Sequence, residues 1–145
     1  MTREKIGALF TRWQEAMADH DIDALAAVYA KDCVVESPLA AGTVQGREAN
    51  AQIHRTSFDA FPDLSFTLDE LLIDGDRVVQ IGTHTATDTG GLMGMVPSGK
   101  PVVIPIVYFS KVANGEIVYE RRIYDFTGML VQIGVLKARD RKSVV

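Results

Sequence analysis

The chain has 145 residues, 47% hydrophobic and 23% charged, with a net charge of −4. A chain of roughly 150 residues builds one full core unaided, and the acidic balance excludes the basic face that nucleic acid or an anionic membrane surface requires. Cys33 is the single cysteine, which excludes an intrachain disulfide framework and a cysteine-based zinc cluster.

No apolar run follows the opening Met1-Thr2-Arg3, as a signal peptide would need, and no stretch approaches the ~20 apolar residues of a membrane span. The expectation is a cytoplasmic protein with one domain over residues 1–145. Its basic tail, Lys137 to Lys142 within 137–145, reads as solvated and frayed.

Ile6, Leu9, Phe10, Trp13, Ala16 and Met17 fall on one helical face, with Thr2 as N-cap. Asp19-His20-Asp21 interrupts the pattern, and Asp21 caps a second helix carrying Ile22, Leu25, Ala26 and Tyr29. Cys33 to Glu36 reads as a short strand ended by Ser37-Pro38, and Leu39 to Gln45 as a loop. A third helix runs from about Arg47 to Ala60, with Asn50, His54 and Phe58 on one stripe, and Pro62-Asp63 stops it.

From Leu64 onward the pattern is β. Leu64, Phe66 and Leu68 alternate, then the phase slips to Leu71 and Ile73, which predicts a bulge. Asp74-Gly75-Asp76 is a hairpin turn before a long strand, Arg77 to Asp88. In that strand Val78, Gln80, Gly82, His84 and Ala86 share one side. Gly90 to Pro101 reads as a mobile loop. Val102 to Val112 is an apolar strand in which Pro105 needs an edge or a bulge. Asn114-Gly115 signals a type I′ turn, Glu116 to Phe126 is the last strand, and Asp125 or Thr127 caps a final short helix. Helices first and a β meander after them predict an α+β domain, with the sheet curled around the helices into a cone whose mouth opens a pocket.

No phosphate loop, dinucleotide fingerprint or paired-histidine helix is present, so no cofactor and no metal are expected. Asp125 sits between apolar and aromatic neighbours. There it would lose hydration and gain proton affinity, as a general acid/base needs, or else simply cap the next helix. His84, beside small Gly82 and Ala86, is the second catalytic candidate. Trp13 and Tyr29, on core-facing helical stripes, His54 and Phe58, on one stripe of the third helix, and Tyr108 in the apolar strand are candidate binding residues. Arg121 shares strand parity with Asp125 and Tyr119 and is a further binding candidate, able to pair with Asp125 or with a substrate oxygen, while Arg122 and Tyr124 face the other way; a local bulge would swap these faces. Glu36 is either exposed or a pocket acid.

Four segments in order resemble the SnoaL-like polyketide cyclase (ester cyclase) family of the NTF2-like superfamily. They are the helix start Gly46-Arg47-Glu48, the corner Ala60-Phe61-Pro62-Asp63-Leu64, the loop Gly94-Met95-Val96-Pro97-Ser98-Gly99-Lys100, and an ending. The ending pairs Asn114-Gly115-Glu116-Ile117-Val118 with Tyr124-Asp125-Phe126-Thr127-Gly128 and Gln132-Ile133-Gly134. The resemblance spans about Glu4 to Leu136. It implies an NTF2-like cone, a curved antiparallel sheet wrapped on three N-terminal helices, and a homodimer or tetramer. It also implies an aspartate at Asp125 acting as acid/base in an intramolecular aldol condensation without metal or cofactor. Tyr124 and Arg121 stand where many members have tryptophan. The expected activity is cofactor-independent acid/base chemistry on a small or medium apolar carbonyl compound. The alternatives are a non-catalytic ligand-binding protein, or an isomerase, dehydratase or epoxide hydrolase of the same fold.

Overall fold

The computed structural model describes residues 1–137, so the basic tail lies outside the described residues save for Lys137. Helix α1 (Arg3–Asp19) begins where the Thr2 hydroxyl accepts from the Lys5 N–H and ends at His20 in the left-handed region, φ 52°. Helix α2 (Ile22–Ala27) begins where Asp21 accepts from the Ala24 N–H. These are the expected caps, and each satisfies a backbone donor that the first helical turn leaves free. The second helix is shorter than expected. Tyr29 opens strand β1 (Tyr29–Ser37), which follows at once.

A 3₁₀ turn (Pro38–Ala40) and a short strand β2 (Gly42–Gln45) occupy the expected loop. Helix α3 (Arg47–Ala60) is followed by β3 (Ser65–Asp74), β4 (Arg77–Thr87), β5 (Pro101–Ala113), β6 (Glu116–Tyr124) and helix α4 (Phe126–Gln132). The six strands form one sheet in the order β2-β1-β6-β5-β4-β3. The sheet is not wholly antiparallel, because β1 and β6 run parallel. The chain passes from β1 through α3 and the meander before returning beside it, and such a long crossover permits parallel pairing.

The predicted bulge is present: the β3–β4 register slips between Leu68 and Glu70, leaving Asp69 unopposed. Asn114 and Gly115 both take positive φ, 52° and 82°, as the type I′ turn demands. Pro105 meets its sheet restriction by position. It pairs with Thr83 of β4, while the β5–β6 ladder begins only at Ile106. Beyond that point the Gln132 side chain takes the place of a strand, accepting from the Val103 N–H at 2.7 Å and donating to its carbonyl at 2.9 Å.

A second slip lies in β6. Lys111 pairs with Tyr119 but Val112 pairs with Ile117, so Val118 is extra. Ile117, Glu120 and Arg122 are therefore buried, while Arg121, Ile123 and Asp125 are exposed. The main core joins α1 to the inner sheet face, with Trp13, Phe10, Leu9 and Tyr29 fully enclosed. A second cluster (Phe61, Leu92, Val102, Met129, Ile133) packs α4 and the 88–100 loop against the end of α3.

That loop is tied down rather than loose. The Asp88 carboxylate accepts from the Ser98 N–H and hydroxyl, at 2.9 and 2.8 Å. Gly90 donates to the Ala60 carbonyl, so close that a Cβ there would overlap the Asp59 carbonyl. No described helix is long and apolar enough to cross a membrane.

Candidate functional site

Between the two clusters lies a cavity of about 70 Å³. Leu92, Phe61, Ile104, Ile106 and Met129 make its walls apolar. His54, His84, Tyr108 and Arg122 bring hydrogen-bonding groups to it. The volume exceeds the ~10–15 Å³ that one water centre requires.

Each polar group arrives by the logic of its element. His84 and Gln80 point inward because β4 alternates, and Tyr108 stands on the neighbouring strand, where the register pairs Gln80 with Tyr108. The His84 Nε2 and Tyr108 hydroxyl lie 2.6 Å apart. The other ring nitrogen, Nδ1, is buried without a hydrogen-bond partner. Burial, reinforced by the Arg122 charge, lowers the His84 pKa to about 4, so its imidazole is neutral at pH 7. Burial also pushes the Tyr108 phenol well above its ordinary range, so it stays a hydroxyl. Small Gly82 leaves no open room beside His84: a Cβ at Gly82 would overlap the Thr67 carbonyl and crowd the Phe66 ring.

The second polar cluster centres on a buried ion pair. Arg122 Nε donates to Glu120 at 2.8 Å, with both side chains almost fully enclosed. Arg122 Nη2 donates to Asn50 Oδ1 at 2.6 Å and lies 3.1 Å from His54 Nε2. Asn50 and His54 are one turn apart on α3, so one face of that helix meets the guanidinium. Glu120 in turn accepts from the Tyr29 hydroxyl at 2.9 Å, and Tyr29 accepts from Trp13 Nε1 at 2.9 Å. Burial and then the Arg122 charge hold His54 well below its ordinary pKa, so Nε2 serves as an acceptor.

The sequence candidates separate accordingly. His54, His84 and Tyr108 line the cavity. Trp13 and Tyr29 are buried behind it, supporting Glu120. Tyr29 does so from a strand, not from the helical stripe expected of it. Phe58 is buried and stacks on His20, 4.1 Å between ring centroids, outside the lining.

Arg121 and Asp125 do share a face, but it is the outer one. Arg121 approaches Glu36 at 3.7 Å, more than half exposed, and Glu36 also accepts from the Tyr119 hydroxyl. Asp125 is exposed and caps α4, accepting from the Gly128 N–H at 2.8 Å. A Cβ at Gly128 would overlap that carboxylate, which accounts for the glycine three residues on. The burial expected of Asp125 is therefore absent. Ile106, Met129 and Leu92 lie on the cavity side, while Asp125 stays at the helix start in contact with solvent. Glu120 and Arg122 were missed as the inward pair. The signal that finds them is the extra residue between Ile117 and Glu120, visible only as a register slip.

Among the described residues no cluster of three histidine, cysteine or acidic side chains is placed to hold a metal. The curved six-stranded sheet closed by helices around an apolar cavity defines an α+β cone of the NTF2 and ketosteroid isomerase type. Solved structures agree. AclR of Streptomyces galilaeus, provisionally assigned as a hydroxylase, is 23% identical with a TM-score of 0.83, over 99% of this chain and 89% of its own. IdmH of Streptomyces antibioticus, provisionally assigned as a polyketide cyclase, is 27% identical with a TM-score of 0.75, over 88% and 97%. A protein with a ketosteroid isomerase-like fold from Catenulispora acidiphila, solved with trimethylamine, is 20% identical with a TM-score of 0.72, over 87% and 92%. A comparison with curated protein sequences finds no match. The sequence profile of the SnoaL-like polyketide cyclases matches residues 8–133, and the chain belongs to that family.

Proposed function

We propose that the protein is a cofactor-independent acid/base enzyme acting on a small or medium apolar carbonyl compound in this cavity. One observation carries the reading: a histidine held neutral and hydrogen-bonded to a tyrosine in an apolar enclosure. His84 Nδ1 is enclosed, so the tautomer that serves the cavity carries its hydrogen there and accepts from the Tyr108 O–H at Nε2. The Tyr108 oxygen then takes a proton α to the carbonyl while its own proton passes to Nε2. The C–H electron pair becomes the C=C bond of the enolate, and the carbonyl π pair moves to oxygen. The enolate carbon recovers a proton from Tyr108, which is re-protonated from Nε2, or it attacks a second carbonyl, whose oxygen takes that proton.

Hydrogen–deuterium exchange at the α carbon of 1-indanone in D₂O, followed by NMR, tests this. The native protein accelerates exchange, and His84→Gln and Tyr108→Phe each lose about 10²–10⁴-fold of that acceleration. Exchange no faster than buffer, or unchanged in both variants, refutes the reading. Binding without exchange supports the carrier alternative. The outer sheet face, where Val103 and Ile123 are more than half exposed beside Val107 and Phe109, supports a homo-oligomer. Sedimentation of a lone protomer would refute that assembly.

A further inference from the structure

We propose that Arg122 Nη1 receives the ligand's carbonyl oxygen, and that the ligand is therefore an apolar ketone or ester rather than a carboxylic acid. The proposal rests on the reading of the cavity as a carbonyl site.

A guanidinium carries five N–H donors. The Nε hydrogen goes to Glu120, and the two on Nη2 meet Asn50 Oδ1 and His54 Nε2. The two on Nη1 have no partner among the described residues. Nη1 is also not among the enclosed, unpartnered atoms, which are Gln80 Nε2, His84 Nδ1 and Asp88 Oδ1. It therefore keeps contact with open space. Arg122 lines both this cavity and an outer cleft beside Glu36, Ser37 and Thr43, and Nη1 is assigned to the cavity side. Held at three points, the guanidinium aims its remaining nitrogen without reorganising, as stabilisation of a developing oxyanion requires.

The ligand class follows from what is already occupied. The Nε and Nη2 edge that would clamp a carboxylate in two-point fashion is used. Glu120 balances the charge, so a second buried carboxylate would lack its own counter-ion. What remains is one nitrogen for one oxygen: a neutral carbonyl in the ground state, an enolate oxygen as charge develops. Glu120 is then a positioning residue, itself fixed by Tyr29 and Trp13.

The test uses 2-naphthol, an apolar ring with one acidic oxygen whose ionisation changes its absorbance and fluorescence. Bound to native protein, it ionises at a pH at least one unit lower than when bound to Glu120→Gln/Arg122→Met. That is about a tenfold difference in the ionised-to-neutral ratio at a given pH. The double variant removes both charges together, so no bare ion is left buried. Neutral 2-acetonaphthone also binds native protein at least about tenfold more tightly than 2-naphthoate, a gap of about 1.4 kcal/mol.

Equal titration of naphthol in the two proteins, no naphthol binding to native protein, or a preference for naphthoate each overturns the proposal. Neither measurement needs turnover. Loss of indanone exchange alone would refute the acid/base reading and leave Arg122 as the carbonyl anchor.

Discussion

Replacing Arg122 with methionine isolates the energetics that hold the site together. Glu120 is fully enclosed. Without the guanidinium its carboxylate keeps only hydroxyl donors, from Tyr29 at 2.9 Å and Ser110 at 3.5 Å. Removing one partner of a buried pair costs about 3–5 kcal/mol, because the other charge is left bare. For a domain of this length that is roughly 6–20 °C in Tm, against a total stability of about 5–15 kcal/mol. Glu120→Gln keeps an oxygen for Nε to bond and costs less, about 1.5–3 kcal/mol. Glu120→Gln/Arg122→Met removes both charges and costs less than the sum of the two single changes. Urea unfolding of the four proteins, followed by circular dichroism, gives the coupling directly. Additive costs, or an Arg122→Met cost under about 1 kcal/mol, would refute the claim that these residues act as one buried pair.

Three further outcomes follow from named contacts. The His84 pKa of about 4 lies below the ordinary 6.5, so the unfolded chain binds more protons between those values. Stability is full above pH 6.5 and falls as pH drops toward 4, by up to about 3 kcal/mol. Chemical unfolding across that range checks this, and His84→Gln flattens the dependence; an equally steep curve in the variant would count against it. Asp125→Ala removes the α4 cap, costs about 1 kcal/mol and leaves indanone exchange within twofold of native, whereas complete loss of exchange would restore Asp125 as the acid/base. Gly90→Ala forces the loop off the Asp59–Ala60 backbone that it touches. Proteolysis within residues 90–100 should then rise sharply, and an unchanged digestion pattern would show the contact to be dispensable.

Much of the architecture was legible along the chain. The 3.6-residue stripe of α1, the Thr2 and Asp21 caps, the Asn114-Gly115 turn and the slip after Leu68 each depend on a few neighbouring residues. Backbone geometry alone converts such patterns into helices, turns and bulges. Tyr29 was misplaced because its spacing continues the α2 stripe, and only the pairing of Tyr29 with Ile117 draws it into a strand. Short strands such as β2 gave no periodic signal at all.

The site was harder to read, for a physical reason. The sequence by itself determined that an α+β cone forms, that His54 shares a stripe of α3 with Asn50 and Phe58, that His84 shares a strand face with Gln80, and that Asp125 or Thr127 begins a helix. Only the tertiary structure decided which face of β6 looks inward. One unopposed residue, Val118, moves every later side chain to the opposite side. That slip places Arg121 and Asp125 in solvent, and Glu120 and Arg122 in the core. Its position depends on how β6 registers against β5, a pairing between strands that no local pattern in either one specifies.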